Sequence, residues 1–156
     1  MPEWKRHTEE IRLENLHPDF MQVLNDHLKH YRLRNILDDV LMCVATDWER
    51  LRHGAFGGPK IMCTVAMITP CWLICIFNRG DNEISVTSAQ LKKIIVEDYA
   101  KSIFNMMIPG YGIHVDGKFT GSAKKCFMFL GLGGEPAGKK FQALVFEAVE
   151  NAKKME

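Results

Sequence analysis

The residues of this 156-residue chain that invite chemistry lie in two loops. Arg50, Arg52, His53 and Lys60 gather around Phe56 in one polar stretch. Guanidinium and ammonium groups at that density hold phosphate or carboxylate oxygens, which makes the stretch a candidate site for an anionic lipid headgroup or an acidic peptide. Asp47 and Glu49 neutralise part of it, and an ordinary solvated loop has the same composition. The second loop, residues 131–140, reads GLGGEPAGKK. Gly133, Gly138 and Lys139 match the start of a phosphate-cradling loop, in which backbone N–H groups and one lysine surround the phosphates. Lys140 stands where that motif needs a hydroxyl for Mg²⁺, and the chain that follows holds about one helix, with no parallel strand to complete a βαβ unit. A glycine turn into a last helix explains the same residues. A nucleotide-phosphate enzyme built on 131–139 is therefore the lesser alternative.

Other chemistries find weaker footing. Cys71 and Cys75, if on one strand, share a face but sit roughly 13 Å apart, too far to chelate one ion. The six histidines are scattered, and no second ligand pair has metal spacing, so no metal and no cofactor is expected. There is no Gly-x-Ser-x-Gly elbow and no cysteine beside turn glycines. Asp38-Asp39 and Glu97-Asp98 are adjacent carboxylates, which point to opposite faces of a strand and cannot act together. No catalytic residue is expected.

Charge and cysteine usage narrow the setting. Twenty basic and nineteen acidic residues nearly cancel, which argues against a dedicated nucleic-acid binder. Five cysteines, all in apolar stretches, behave as small hydrophobes and predict a reducing, cytoplasmic setting. The charged start Met1–Arg6 predicts no cleaved leader. Residues 61–77 (IMCTVAMITPCWLICIF) carry no charge and reach the short limit of a membrane span. Thr69-Pro70 interrupts that run, and its β-branched, aromatic and cysteine content favours two buried strands. A small integral membrane protein anchored by 61–77 is the main alternative.

The elements that must position these residues follow from periodicity. Pro18-Asp19 after His17 starts a helix whose apolar positions Phe20, Val23, Leu24 and Leu28 recur at helical spacing to about Tyr31. Residues 1–36 as a whole read as a helical extension. About seven short strands follow: one from about Val40, then 60–68, 71–77, 83–87, 91–98, 112–116 and 125–130, with a further apolar segment at 104–108. Ser88-Ala89-Gln90 reads as a break, and Asp116-Gly117 as a hairpin dipeptide. Phe141, Leu144, Val145, Ala148 and Val149 mark an amphipathic helix over 137–154. Helices, then strands, then one helix predict an α+β fold with an antiparallel sheet.

The run Val65–Ile74, the passages Ile84–Val86 and Leu91–Glu97, the strands Gly112–Val115 and Phe127–Leu130, and the helix from Ala137 together resemble bacterial PH-like and GRAM-like domains. The resemblance covers residues 37 to 154. It implies a bent antiparallel sheet of about seven strands capped by a C-terminal helix, with 37–156 as the PH-like domain and 1–36 added to it. It also implies a non-catalytic binding module for a protein or peptide partner or an anionic lipid headgroup, peripheral to a membrane in the second case, with self-assembly known among relatives. In phosphoinositide-binding relatives, basic residues of the first hairpin loop and the following strand take the phosphates; here Arg50, Arg52 and Lys60 occupy that region, without the dense Lys/Arg pattern of those binders.

Overall fold

A computed structural model describes residues 4–33, 35–50, 61–79, 83–99 and 112–155. Among them run β1 (Trp4–Ile11), α1 (Pro18–His30), β2 (Met42–Arg50), β3 (Ile61–Ile68), β4 (Trp72–Asn78), β5 (Ile84–Gln90), β6 (Ile94–Asp98), β7 (Gly112–Gly117), β8 (Cys126–Gly131) and α2 (Pro136–Lys154). Strands β1 to β5 form one antiparallel sheet in chain order, and β6 to β8 form a second. The fold is α+β, as the element order predicts, with eight strands in two sheets among the described residues.

The uncharged run 61–77 is a hairpin. Its apex is closed by Thr69, whose N–H donates to the Trp72 carbonyl at 2.9 Å and whose hydroxyl accepts the amides of Cys71 and Trp72 at 3.1 and 2.8 Å. Strand periodicity then sends Ala66, Ile68, Leu73 and Cys75 to one face of the sheet and Val65, Met67, Ile74 and Ile76 to the other. The first set packs with α2 and the second sheet; the second set packs under Leu16, Phe20 and Leu24 of the α1 region. Both faces are covered, so the polar alternation of a half-exposed strand never appears and the run reads like a membrane segment. Among the described residues no helix is long and apolar enough to cross a membrane.

Helix α1 has thirteen residues, which is marginal for a helix standing alone in water. The His17 Nδ1 accepts the Asp19 amide at 3.1 Å and Pro18 occupies the first turn, so the helix-start reading holds. Leu24 is fully buried and Phe20 nearly so, and each large side chain removed from water contributes about 1.5–3 kcal/mol. Packing on the sheet therefore holds α1 more than its local propensity does.

The N-terminal region departs from its expected character. Residues 4–11 are a strand, not helix, and pair with β2 along their whole length, from Trp4 opposite Arg50 to Ile11 opposite Cys43. The sequence WKRHTEEI shows no apolar period because β1 is an edge strand, where charged side chains guard the unpaired rim against other chains. Its partner lies about forty residues downstream and leaves no local trace. The described parts of 1–36 thus pack on the same sheet that the later strands build.

Smaller differences have equally local causes. Residues 88–90 are not a break but the end of β5, followed by a single 3-10 turn at Leu91–Lys93 before β6. Asp116-Gly117 ends β7 without a two-residue hairpin; residues 118–125 intervene before β8. Gly117 has φ +149, and a side chain there would strike the Lys93 carbonyl and Ile94 backbone, so the glycine serves strand approach. The segment 104–108 lies outside the described residues.

The main core joins Val44, Leu73, Ile94, Ile113 and Leu130 of the two sheets to Phe141 and Val145 of α2. Strand β8 crosses the first sheet: residues 126–129 lie by Phe77, Ser85 and Thr87, while Phe129 and Gly131 reach Trp48 and Arg6. This placement leaves the start of β8 beside the edge strand β5.

Candidate functional site

Of the basic residues singled out by sequence, Arg50 ends β2 opposite Trp4. Arg52, His53 and Lys60 lie outside the described residues. The described strand ends that flank them, Glu49 and Ile61, pair at the end of the sheet away from the Thr69-Pro70 turn.

The glycine-rich segment is placed in detail and is built for packing. The Gly133 amide donates to Thr8 Oγ1 at 2.7 Å, and that hydroxyl is also 2.7 Å from Thr46 Oγ1 across the β1–β2 pair. Glu135 Oε2 accepts the Thr8 amide at 3.3 Å, and its Oε1 lies 3.0 Å from His7 Nδ1. Partial burial works against the ionised form of Glu135, yet its own backbone amide, that of Thr8 and the His7 ring outweigh it and hold the carboxyl below its ordinary value. The space a Cβ on Gly133 would fill is taken by that carboxylate, and the space beside Gly138 by the Gly133 carbonyl. A negative group already stands where a phosphate would have to approach Gly133. The turn seats α2 against β1, as the glycine-turn reading holds.

A second cluster ties β1, β2 and β8 at the same corner. The Arg6 guanidinium lies 4.9 Å from the Trp48 ring centre and 5.5 Å from that of Phe129. Phe129 in turn packs 4.3 Å from Tyr99. Desolvation by burial lowers the Arg6 pKa, and Tyr99 opposes that shift. Cation–π contact of this kind repays part of the desolvation and makes the cluster a clamp between sheets.

A groove of about 520 Å³ lies between β5 and β8. Phe77, Phe119, Phe127, Met128 and Phe129 line its apolar part among the described residues, with Arg79, Ser85 and Thr87 along one side. Phe127 is 70% exposed and lies next to Met128 and Phe129 in this apolar lining. Beside this groove runs the outer edge of β5. The Thr120 amide donates to the Ser88 carbonyl at 2.8 Å, so the main chain of Ser88 faces away from β4. By the two-residue period, the amides and carbonyls of Val86 and Ile84 face the same way. Among the described residues, no further strand pairs with that edge.

Sequence reading placed Phe127–Leu130 in a strand but missed the groove. The available signal was three consecutive apolar residues, Phe127, Met128 and Phe129, in a strand where half should face solvent. Among the described residues no three His, Cys, Asp or Glu side chains converge to hold a metal. No family model, curated protein or solved structure matches the chain.

Proposed function

We propose that this chain is a non-catalytic PH-like module that captures an extended peptide segment of a partner protein by adding it as a strand to β5. The arrangement of β2–β5, β6–β8 and the packed α2 supports the PH-like reading, with β1 and α1 as additions. One observation carries the binding mode: the main-chain edge at Ile84 and Val86, unpaired among the described residues, runs beside an aromatic groove. Strand addition uses the edge for affinity and the groove for alternate side chains. Apolar residues at every second position of the peptide suit Phe77, Phe127 and Phe129, and an acidic residue suits Arg79.

The test is selection of extended peptides from a displayed random library on the intact protein, followed by amide chemical-shift mapping. Selected peptides should alternate apolar residues and shift the amides of 84–87. Val86→Pro removes a donor from the open edge without touching the β4 ladder, and should abolish binding while the protein stays folded. Peptides that bind this variant unchanged, or no selection at all, would overturn the reading.

A further inference from the structure

On the other side of Phe119 from the groove, a separate cavity of about 270 Å³ opens between the end of β5 and residues 118–122. Trp72, Gln90, Lys93, Lys118, Thr120 and Ser122 line it, and no acidic residue does among the described residues. It sits at the Thr69-Pro70 end of the sheet, away from the loop where the family resemblance puts phosphate.

Two independent features give this cavity a sign. The first is a pair of facing lysines. Ile94 pairs with Gly117, and the Lys118 amide donates to the Lys93 carbonyl at 3.2 Å, so the ladder continues by one residue and sets Lys93 opposite Lys118. Like charges directly opposite one another are destabilising. Among the described residues neither ammonium has a carboxylate within ion-pair distance. An anion between the two would reverse the sign of that interaction.

The second feature is a directed chain of hydrogen bonds. Ser88, 1% exposed, donates its only hydroxyl proton to Thr120 Oγ1 at 2.8 Å. His27 Nε2 lies 2.8 Å from Ser88 Oγ and must therefore be the donor in that bond. The chain runs His27 to Ser88 to Thr120, and Thr120 lines the cavity with its own proton committed to no described acceptor. Aligned donors of this kind strengthen one another toward a negative group. The Thr120 amide bond to Ser88 fixes the position of that last hydroxyl.

We propose that this cavity binds a phosphomonoester, with Lys93 and Lys118 neutralising its charge and Thr120 donating to one of its oxygens. A volume just below the range of drug-sized pockets suits a phosphoryl group and the few atoms attached to it. The site is independent of peptide capture on β5 and stands or falls separately.

Titration of the intact protein with inorganic phosphate, followed by amide chemical shifts, tests it directly. The amides of 118–122 should shift saturably. The double variant Lys93→Gln/Lys118→Gln, altered only at exposed side chains, should keep or raise its melting temperature without phosphate, as the repulsion is removed, and lose at least tenfold in affinity. Thr120→Val should cost about ten- to a hundredfold, the range of a hydrogen bond to a charged group. Sedimentation with phosphatidylcholine vesicles carrying a phosphatidylinositol monophosphate distinguishes the source. Pelleting that the lysine variant abolishes assigns the phosphate to a lipid headgroup; phosphate shifts without pelleting assign it to a soluble monoester. Absence of both responses overturns the proposal, as do shifts that persist in the lysine variant or equal pelleting with phosphatidylserine vesicles.

Discussion

Thr8 Oγ1 accepts the Gly133 amide at 2.7 Å, joining residues 125 positions apart in the chain. The same hydroxyl lies 2.7 Å from Thr46 Oγ1, so one atom of the first strand links the second strand to the turn that begins the last helix. Thr8 is 2% exposed, and water cannot substitute for any of these bonds. The edge strand β1 therefore does more than extend a sheet: it fixes where α2 starts, and α2 closes the main core.

Replacing Thr8 by Val removes the acceptor while keeping the shape. The Gly133 amide would then be buried without a partner, and the variant should lose about 1–3 kcal/mol of stability. Thr46→Val leaves that amide satisfied and should cost only about 0.5–1.5 kcal/mol. Urea unfolding checks both, and the comparison is clean if the slope of stability against urea stays constant. Equal losses in the two variants would mean that the Thr8–Thr46 bond, not the hold on Gly133, matters.

Glu135 gives the same corner a pH dependence. Its folded-state pKa lies below the ordinary 4.5, so the folded protein binds the proton less readily than the unfolded chain. Its contribution is fully present above that value and is lost as pH falls through the lower folded pKa. Glu135→Gln should be less stable than the parent near neutrality, and the gap should narrow as pH drops below about 4.5. Unfolding curves of both proteins across that range decide it; a gap that stays constant in acid would show that the carboxylate charge is not the stabilising feature.

How much of this was legible depended on how far apart the partners stand. The helix of Phe141, Val145 and Val149 announces itself because its period and its core face are local. The two strands in 61–77 were legible from composition and the Thr69-Pro70 interruption, but their double coverage was not, since Leu16, Phe20 and Leu24 lie some forty residues away. Strand β1 was illegible for the opposite reason: an edge strand rich in Lys, Arg and Glu lacks the alternation that defines a half-buried strand. The phosphate-like glycines could be discounted from their position in the chain, yet only the folded geometry reveals Glu135 filling the space. Lys93 and Lys118 meet solely because β6 and β7 pair, and no spacing in the sequence signals that.

The cysteines allow a direct check of the two-layer burial. Burial pushes the thiols of Cys43 and Cys75 up to about 12, and Cys63, with the Asp47 charge and hydrogen bond added, to about 12 as well. The thiolate is the attacking species, so at pH 8 only about one molecule in ten thousand carries it at each of these positions. Cys71 and Cys126 are exposed. An aromatic disulfide reagent should therefore modify two of the five thiols rapidly in the native protein and the other three only as it unfolds. Cys71→Ser/Cys126→Ser should abolish the rapid phase and leave the slow one. Rapid native-state labelling of Cys75 would contradict the placement of β4 between α1 and α2, because a thiol sealed between two packed faces has neither the charge nor the access to react.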